Sequence, residues 1–152
     1  MLSIDSLLSR LATDFPDIVF REANSFSWAP STQTITFTRT EPHSVERLLH
    51  ELGHAQLDHT TYDRDIDLIG MERDAWQLAR TDFLETYSVP ISTDVVEDHM
   101  DTYREWLHAR STCPYCSATG LQTGKNMYKC LACLKTWQVN EARVCALRRY
   151  KK

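Results

Sequence analysis

Apolar residues recur along the chain with two different periods, and each period predicts a different kind of element. Leu7, Leu8, Leu11 and Phe15 fall on one face of a helix over 4–14 that Ser3 is placed to cap. Residues 18–22, 25–29 and 33–38 read instead as short strands. The clearest is Gln33-Thr34-Ile35-Thr36-Phe37-Thr38, where polar and apolar positions alternate and β-branched residues dominate. Pro30-Ser31-Thr32 supplies the turn before it. Helical spacing then returns, with Pro42 and Ser44 opening a helix over 45–59 whose stripe is Val45, Leu48, Leu49, Leu52 and Ala55. A polar loop with Asp63, Asp65 and Asp67 leads to a helix over 68–87, where Glu72, Trp76, Ala79 and Phe83 stack at spacings of three and four. Pro90 closes that region. A further helix over 94–109 turns Val95, Val96, Met100, Tyr103 and Leu107 inward, and the rest of the chain holds paired cysteines and short strands such as 134–139. The fold class this predicts is α+β, a small antiparallel sheet with helices packed on it.

Composition adds a boundary to that picture. At 152 residues and 42% hydrophobic the chain can bury a core, and four Gly and five Pro exclude a low-complexity protein. No apolar run approaches the ~20 residues of a membrane span, and Met1-Leu2-Ser3-Ile4-Asp5 lacks the basic start of a secretory signal. The expected compartment is the cytoplasm, where five Cys point to metal rather than to disulfides. The formal charge of −4 hides an asymmetry: residues 1–110 carry 20 carboxylates against 9 Arg, and residues 111–152 carry 8 Lys and Arg against Glu141 alone. All the Cys but Cys145 lie within 113–133, just past the same boundary near Arg110, so two domains are expected, 1–110 and 111–152.

The first chemical motif is His50-Glu51-Leu52-Gly53-His54. Each helical residue advances ~100°, so the two His lie one turn apart on one face and can share a tetrahedral zinc. Glu51 projects beside the metal, where it can act as general base toward water, as in a metalloprotease. Gly53 lets another chain or a substrate approach the helix closely, at a propensity cost of ~1 kcal/mol relative to Ala. The strand just before this helix, if its edge is exposed, can pair with a substrate backbone and lead a carbonyl to the metal.

A catalytic zinc needs a third protein ligand. On a continuous helix His59 would stand ~140° from His54, which makes it a surface or helix-end residue. Glu72 heads an otherwise apolar stripe, and a carboxylate there is costly to bury unless paired or metal-bound. Ala75 and Ala79 let its helix lie close to a neighbour, so Glu72 is the expected third ligand, ahead of Asp67 and Asp74.

With Leu57, His59 and a second helix opening on Glu72-Arg73-Asp74-Ala75, the motif resembles the ImmA/IrrE-type metallopeptidase family, compact gluzincin-like proteins of bacteria and their mobile elements. The resemblance covers roughly residues 30–90. It implies a helix-and-small-sheet fold, His50, His54 and Glu72 as zinc ligands, Glu51 as catalytic residue, and a transcriptional repressor as substrate. The chain departs from the family at Asp82-Phe83-Leu84-Glu85-Thr86-Tyr87, where a Leu-rich, Pro-ended segment is usual, and in its C-terminal Cys unit.

That unit carries Cys113-Pro114-Tyr115-Cys116 and Cys130-Leu131-Ala132-Cys133. Two such pairs, each presenting two thiolates from a tight turn, match a zinc-ribbon-like structural site whose binding energy is folding energy. Cys145 lies outside the pairs. Lys125, Lys129, Lys135, Arg143, Arg148, Arg149, Lys151 and Lys152, with Tyr115, Tyr128, Trp137 and Tyr150 among them, can contact phosphates and stack on bases, or dock on the acidic first domain.

The expectation is therefore a cytoplasmic zinc endopeptidase with two zinc ions per chain, one catalytic and one structural, acting on a repressor or other regulatory protein. An SprT-like, DNA-associated protease would need a third His downstream, and only His99 and His108 are available. A zinc-stabilised DNA- or protein-binding module with a vestigial protease site is the non-enzymatic alternative.

Overall fold

The computed structural model describes residues 2–141 and 149–151. In chain order the elements are α1 (Ile4–Asp14), β1 (Val19–Glu22), β2 (Ser27–Ala29), β3 (Thr34–Phe37), α2 (Ser44–Gln56), α3 (Asp65–Arg80), α4 (Asp82–Tyr87), α5 (Thr93–Ser111), β4 (Leu121–Gly124), β5 (Met127–Lys129), β6 (Thr136–Val139) and β7 (Arg149–Lys151). The chain is α+β, as its periodicity predicts. None of the described helices is long and apolar enough to cross a membrane.

Two compact units form, one from Met1–Thr60 and Met71–Val96, the other from Thr61–Gly70 and Glu97–Lys152. Arg110 marks a change of charge, but packing divides the chain elsewhere. The second unit draws in part of the acidic region because Leu68, Tyr103 and Trp106 form a buried cluster with Tyr62, Ile69 and Leu107 against it.

In the first unit the strand order is β1-β3-β2. β2 pairs antiparallel with β3, and β1 pairs parallel with it, so the sheet is mixed. β3 is thus the central strand, and all four of its residues are buried. It has no free edge for a substrate, which corrects the expectation for 33–38. Alternation suggested one wet face because threonine counts as polar, yet each hydroxyl finds a partner and can be buried. Thr34 Oγ1 donates to the Thr32 carbonyl at 3.2 Å, and Thr36 Oγ1 lies 2.6 Å from Ser27 Oγ.

Helix α1 is capped by Ser3, whose hydroxyl accepts from the Ser6 N–H at 3.1 Å, and it buries Leu7 and Leu11. The helix read as 68–87 is two helices broken at Thr81, whose hydroxyl donates back to the Gln77 carbonyl at 3.0 Å. The break lets α4 turn Phe83 and Tyr87 into the core, where Tyr87 donates to Asp14 Oδ2 at 2.7 Å.

The second unit carries an antiparallel sheet, β4-β5-β6-β7. Its core is Cys113, Tyr128, Cys130, Trp137 and Val139, with the Tyr128 and Trp137 rings stacked at 5.6 Å. Arg110 is buried there, its guanidinium on both carboxylate oxygens of Asp65 (2.7 and 3.3 Å) and on Asn126 Oδ1 (2.6 Å). Tyr128 donates to the same Asp65 carboxylate.

Candidate metal centres

Helix α2 presents His50, Glu51 and His54 from its second half, all three buried. Gly53 is what lets α3 meet it. A Cβ on Gly53 would stand 2.6 Å from the Ala75 carbonyl oxygen, so only glycine allows this approach. His50 and Glu72 each lie three residues before that contact, and their side chains meet there. Glu72 Oε2 is 2.7 Å from His50 Nε2 and 3.2 Å from His54 Nε2, and the two ring nitrogens are 3.1 Å apart. Trp76, one turn beyond Glu72, stacks on the His50 ring at 4.2 Å and fixes its plane. Glu51 places a carboxylate oxygen within 4.8 Å of a ring nitrogen of each histidine.

The chemistry of this triangle fits a cation. A carboxylate brings no proton, and each Nε2 brings at most one. Two protons can serve the two contacts to Glu72, which leaves the Nε2–Nε2 contact with none between the nitrogens. Ligands at ~2.0–2.1 Å from a tetrahedral zinc stand about 3.3 Å from one another, close to the separations observed. Asp74 is exposed and pairs with Arg73 at 3.3 Å, and Asp67 accepts from the Arg64 N–H at 3.3 Å. Neither belongs to the triangle.

The spacing makes His59 a surface or helix-end residue; it does lie just past the end of α2, but it turns inward. It is half-buried, and its Nδ1 lies 2.8 Å from His54 Nδ1. Burial, and then the neighbouring His54, hold its pKa below the ordinary histidine value. The helical wheel failed because α2 ends at Gln56 rather than at 59.

In the second unit Cys113, Cys116, Cys130 and Cys133 bring their sulfurs together. The Sγ–Sγ distances are 3.7 Å for Cys113–Cys133 and 3.5 Å for Cys116–Cys130. These are far beyond a disulfide bond and close to the roughly 3.8 Å edge of a tetrahedron with ~2.3 Å metal–sulfur bonds. Backbone N–H groups point at the sulfurs, Tyr115 to Cys113 at 3.4 Å and Cys133 to Cys130 at 3.5 Å. The Cys133 amide is the main cause that holds the Cys130 thiol down to about 7, so a thiolate is available near neutral pH. Cys145 lies outside the described residues.

Of the aromatics that were expected to stack on bases, Tyr128 and Trp137 are core residues and cannot. Tyr115 is partly buried and covered by the Lys135 ammonium at 4.7 Å. Arg143 and Arg148 lie outside the described residues. His99 packs against Tyr103 at 5.3 Å, and His108 is exposed.

The described residues thus form two candidate metal sites, one of nitrogen and oxygen donors and one of four sulfurs. No family model, curated protein or solved structure matches the chain.

Proposed function

We propose that the chain is a zinc-dependent endopeptidase, with His50, His54 and Glu72 holding the catalytic zinc and the four cysteines holding a structural one. The observation that carries this reading is the meeting of two helical imidazoles and a carboxylate from α3, with Glu51 beside them. Two imidazoles and a carboxylate form the donor set of a catalytic zinc, and four sulfurs that of a structural one. A zinc ion in the first set supplies a Lewis acid for a peptide carbonyl and lowers the pKa of water.

The chain's own residues do the rest. Glu51 takes a proton from the attacking water and returns it to the departing amine. Glu72 contributes one negative charge to the donor set, and Trp76 keeps the His50 ring in line. The free backbone for an extended substrate lies on an outer strand of the sheet, since β3 is paired on both sides. Of the two, β2 packs on α2, so β2 is the strand we assign. The resemblance to ImmA/IrrE-type peptidases makes a transcriptional repressor or another regulatory protein the substrate to try first, in the cytoplasm. We rank the SprT-like alternative second because Glu72 supplies a third donor without a downstream histidine.

The test is metal content and cleavage measured side by side. Glu51→Gln should keep two zinc per chain while cleavage falls about 10²–10⁴-fold, the share of general acid–base catalysis. Glu72→Ala should drop toward one zinc and lose activity with it. Equal zinc in Glu72→Ala and wild type would refute the ligand assignment, and unimpaired cleavage by Glu51→Gln would refute the mechanism.

A further inference from the structure

The end of α2 carries a device that the donor set alone does not explain. The helix closes with Asp58 in the left-handed region (φ 52°), the Asp58 N–H on the Ala55 carbonyl at 3.2 Å and the His59 N–H on the His54 carbonyl at 3.0 Å. This paired pattern is a Schellman closure, with aspartate where glycine is usual. It reverses the chain within two residues and folds the His59 ring back onto His54. The ring centroids stand 5.1 Å apart and the two Nδ1 atoms 2.8 Å apart. A second element fixes the same residue, since Trp28 Nε1 on β2 donates to the His59 carbonyl at 3.1 Å.

Two ring nitrogens at 2.8 Å need one proton between them. A neutral imidazole has one N–H, so a His54 that offers the Nε2 lone pair to a cation must carry its proton on Nδ1. His54 Nδ1–H is then the donor, His59 Nδ1 the acceptor, and the proton of His59 sits on Nε2. We infer that His59 is a positioning residue for the metal site, whose Nδ1 lone pair fixes the tautomer and ring orientation of His54. The inference rests on the metal-site reading above. The usual acceptor behind a ligating histidine is a carboxylate or a backbone carbonyl. A neutral imidazole in that place orients the ligand without adding charge, so Glu72 remains the only anion in the donor set.

The test is cobalt(II) binding to the full-length chain, because thiolate and nitrogen–oxygen sites differ in absorption and can be followed separately. His59→Asn and His59→Leu are nearly equal in size, but only the asparagine carbonyl can accept from His54. His59→Leu should weaken cobalt at the nitrogen–oxygen site by about 10–100-fold, while His59→Asn stays within a few-fold of wild type and the thiolate signal is unchanged in both. Equal affinity in His59→Leu and wild type overturns the inference, and so does equal loss in both variants, which would make the role one of packing. A wild-type chain showing only the thiolate signature overturns the metal-site reading itself, and the role of His59 with it. Should the variants misfold, long-range ¹H–¹⁵N spectra of the zinc-loaded wild type decide. His59 protonated on Nε2 supports the inference, and His59 protonated on Nδ1 refutes it.

Discussion

Within His50-Glu51-Leu52-Gly53-His54, Gly53 decides how near α3 can come. Replacing it by Ala gains ~1 kcal/mol of helix propensity. The new methyl, however, must enter a space where the Ala75 carbonyl oxygen would stand 2.6 Å away, and backbone cannot swing aside as a side chain can. Forced overpacking costs about 1–3 kcal/mol, so Gly53→Ala should lower the urea midpoint rather than raise it. A stabilised variant would contradict the close approach. The glycine was legible in the sequence as a place of close contact, because a glycine inside a helix has a local cost that something must offset. Its partner was not legible, since nothing local names Ala75. The role of His59 was hidden for a related reason. Helical-wheel arithmetic assumes that the helix continues, and an aspartate in the left-handed region gives no glycine to mark its end.

Among the elements, α3 shows most clearly how a local reading falls short. The sequence pattern puts Asp65 in a polar loop, yet it opens α3 and is buried in the second unit beside Arg110 and Tyr128. Burial, and then the hydrogen bond to Asp65, hold the Tyr128 phenol protonated well above the ordinary tyrosine range. Asp65→Ala leaves the Arg110 guanidinium buried with its countercharge gone, and breaking a buried pair in this way costs about 3–5 kcal/mol. Chemical denaturation should show that loss, and a change below about 1 kcal/mol would mean that water reaches Arg110 freely. Element types were largely legible because period is a local property. Boundaries and neighbours were less so. The threonines of β3 suggested a surface strand, and only the strand order made it central.

At the scale of the whole molecule, two donor sets of different chemistry sit in two separately packed units, so each metal should be removable without the other. Cys130→Ser leaves three sulfurs and should cost one zinc per chain together with the amide-exchange protection of residues 111–140, while the histidine site keeps its metal. Protection that survives the substitution would contradict a structural metal there. What the sequence by itself determined is whatever depends on near neighbours: the α+β class, the two imidazoles one turn apart with a glutamate between them, and the cysteine pairs that each turn presents together. Backbone hydrogen bonding fixes helix and turn geometry over a few residues, so spacing alone places such side chains. The tertiary structure decided which groups from distant segments share a space: that Glu72 reaches both histidines, that His59 turns back onto His54, that β3 lies inside its sheet, and that Asp65 meets Arg110. Those contacts come from long-range packing and from one residue in a left-handed conformation, and neither leaves a period in the chain.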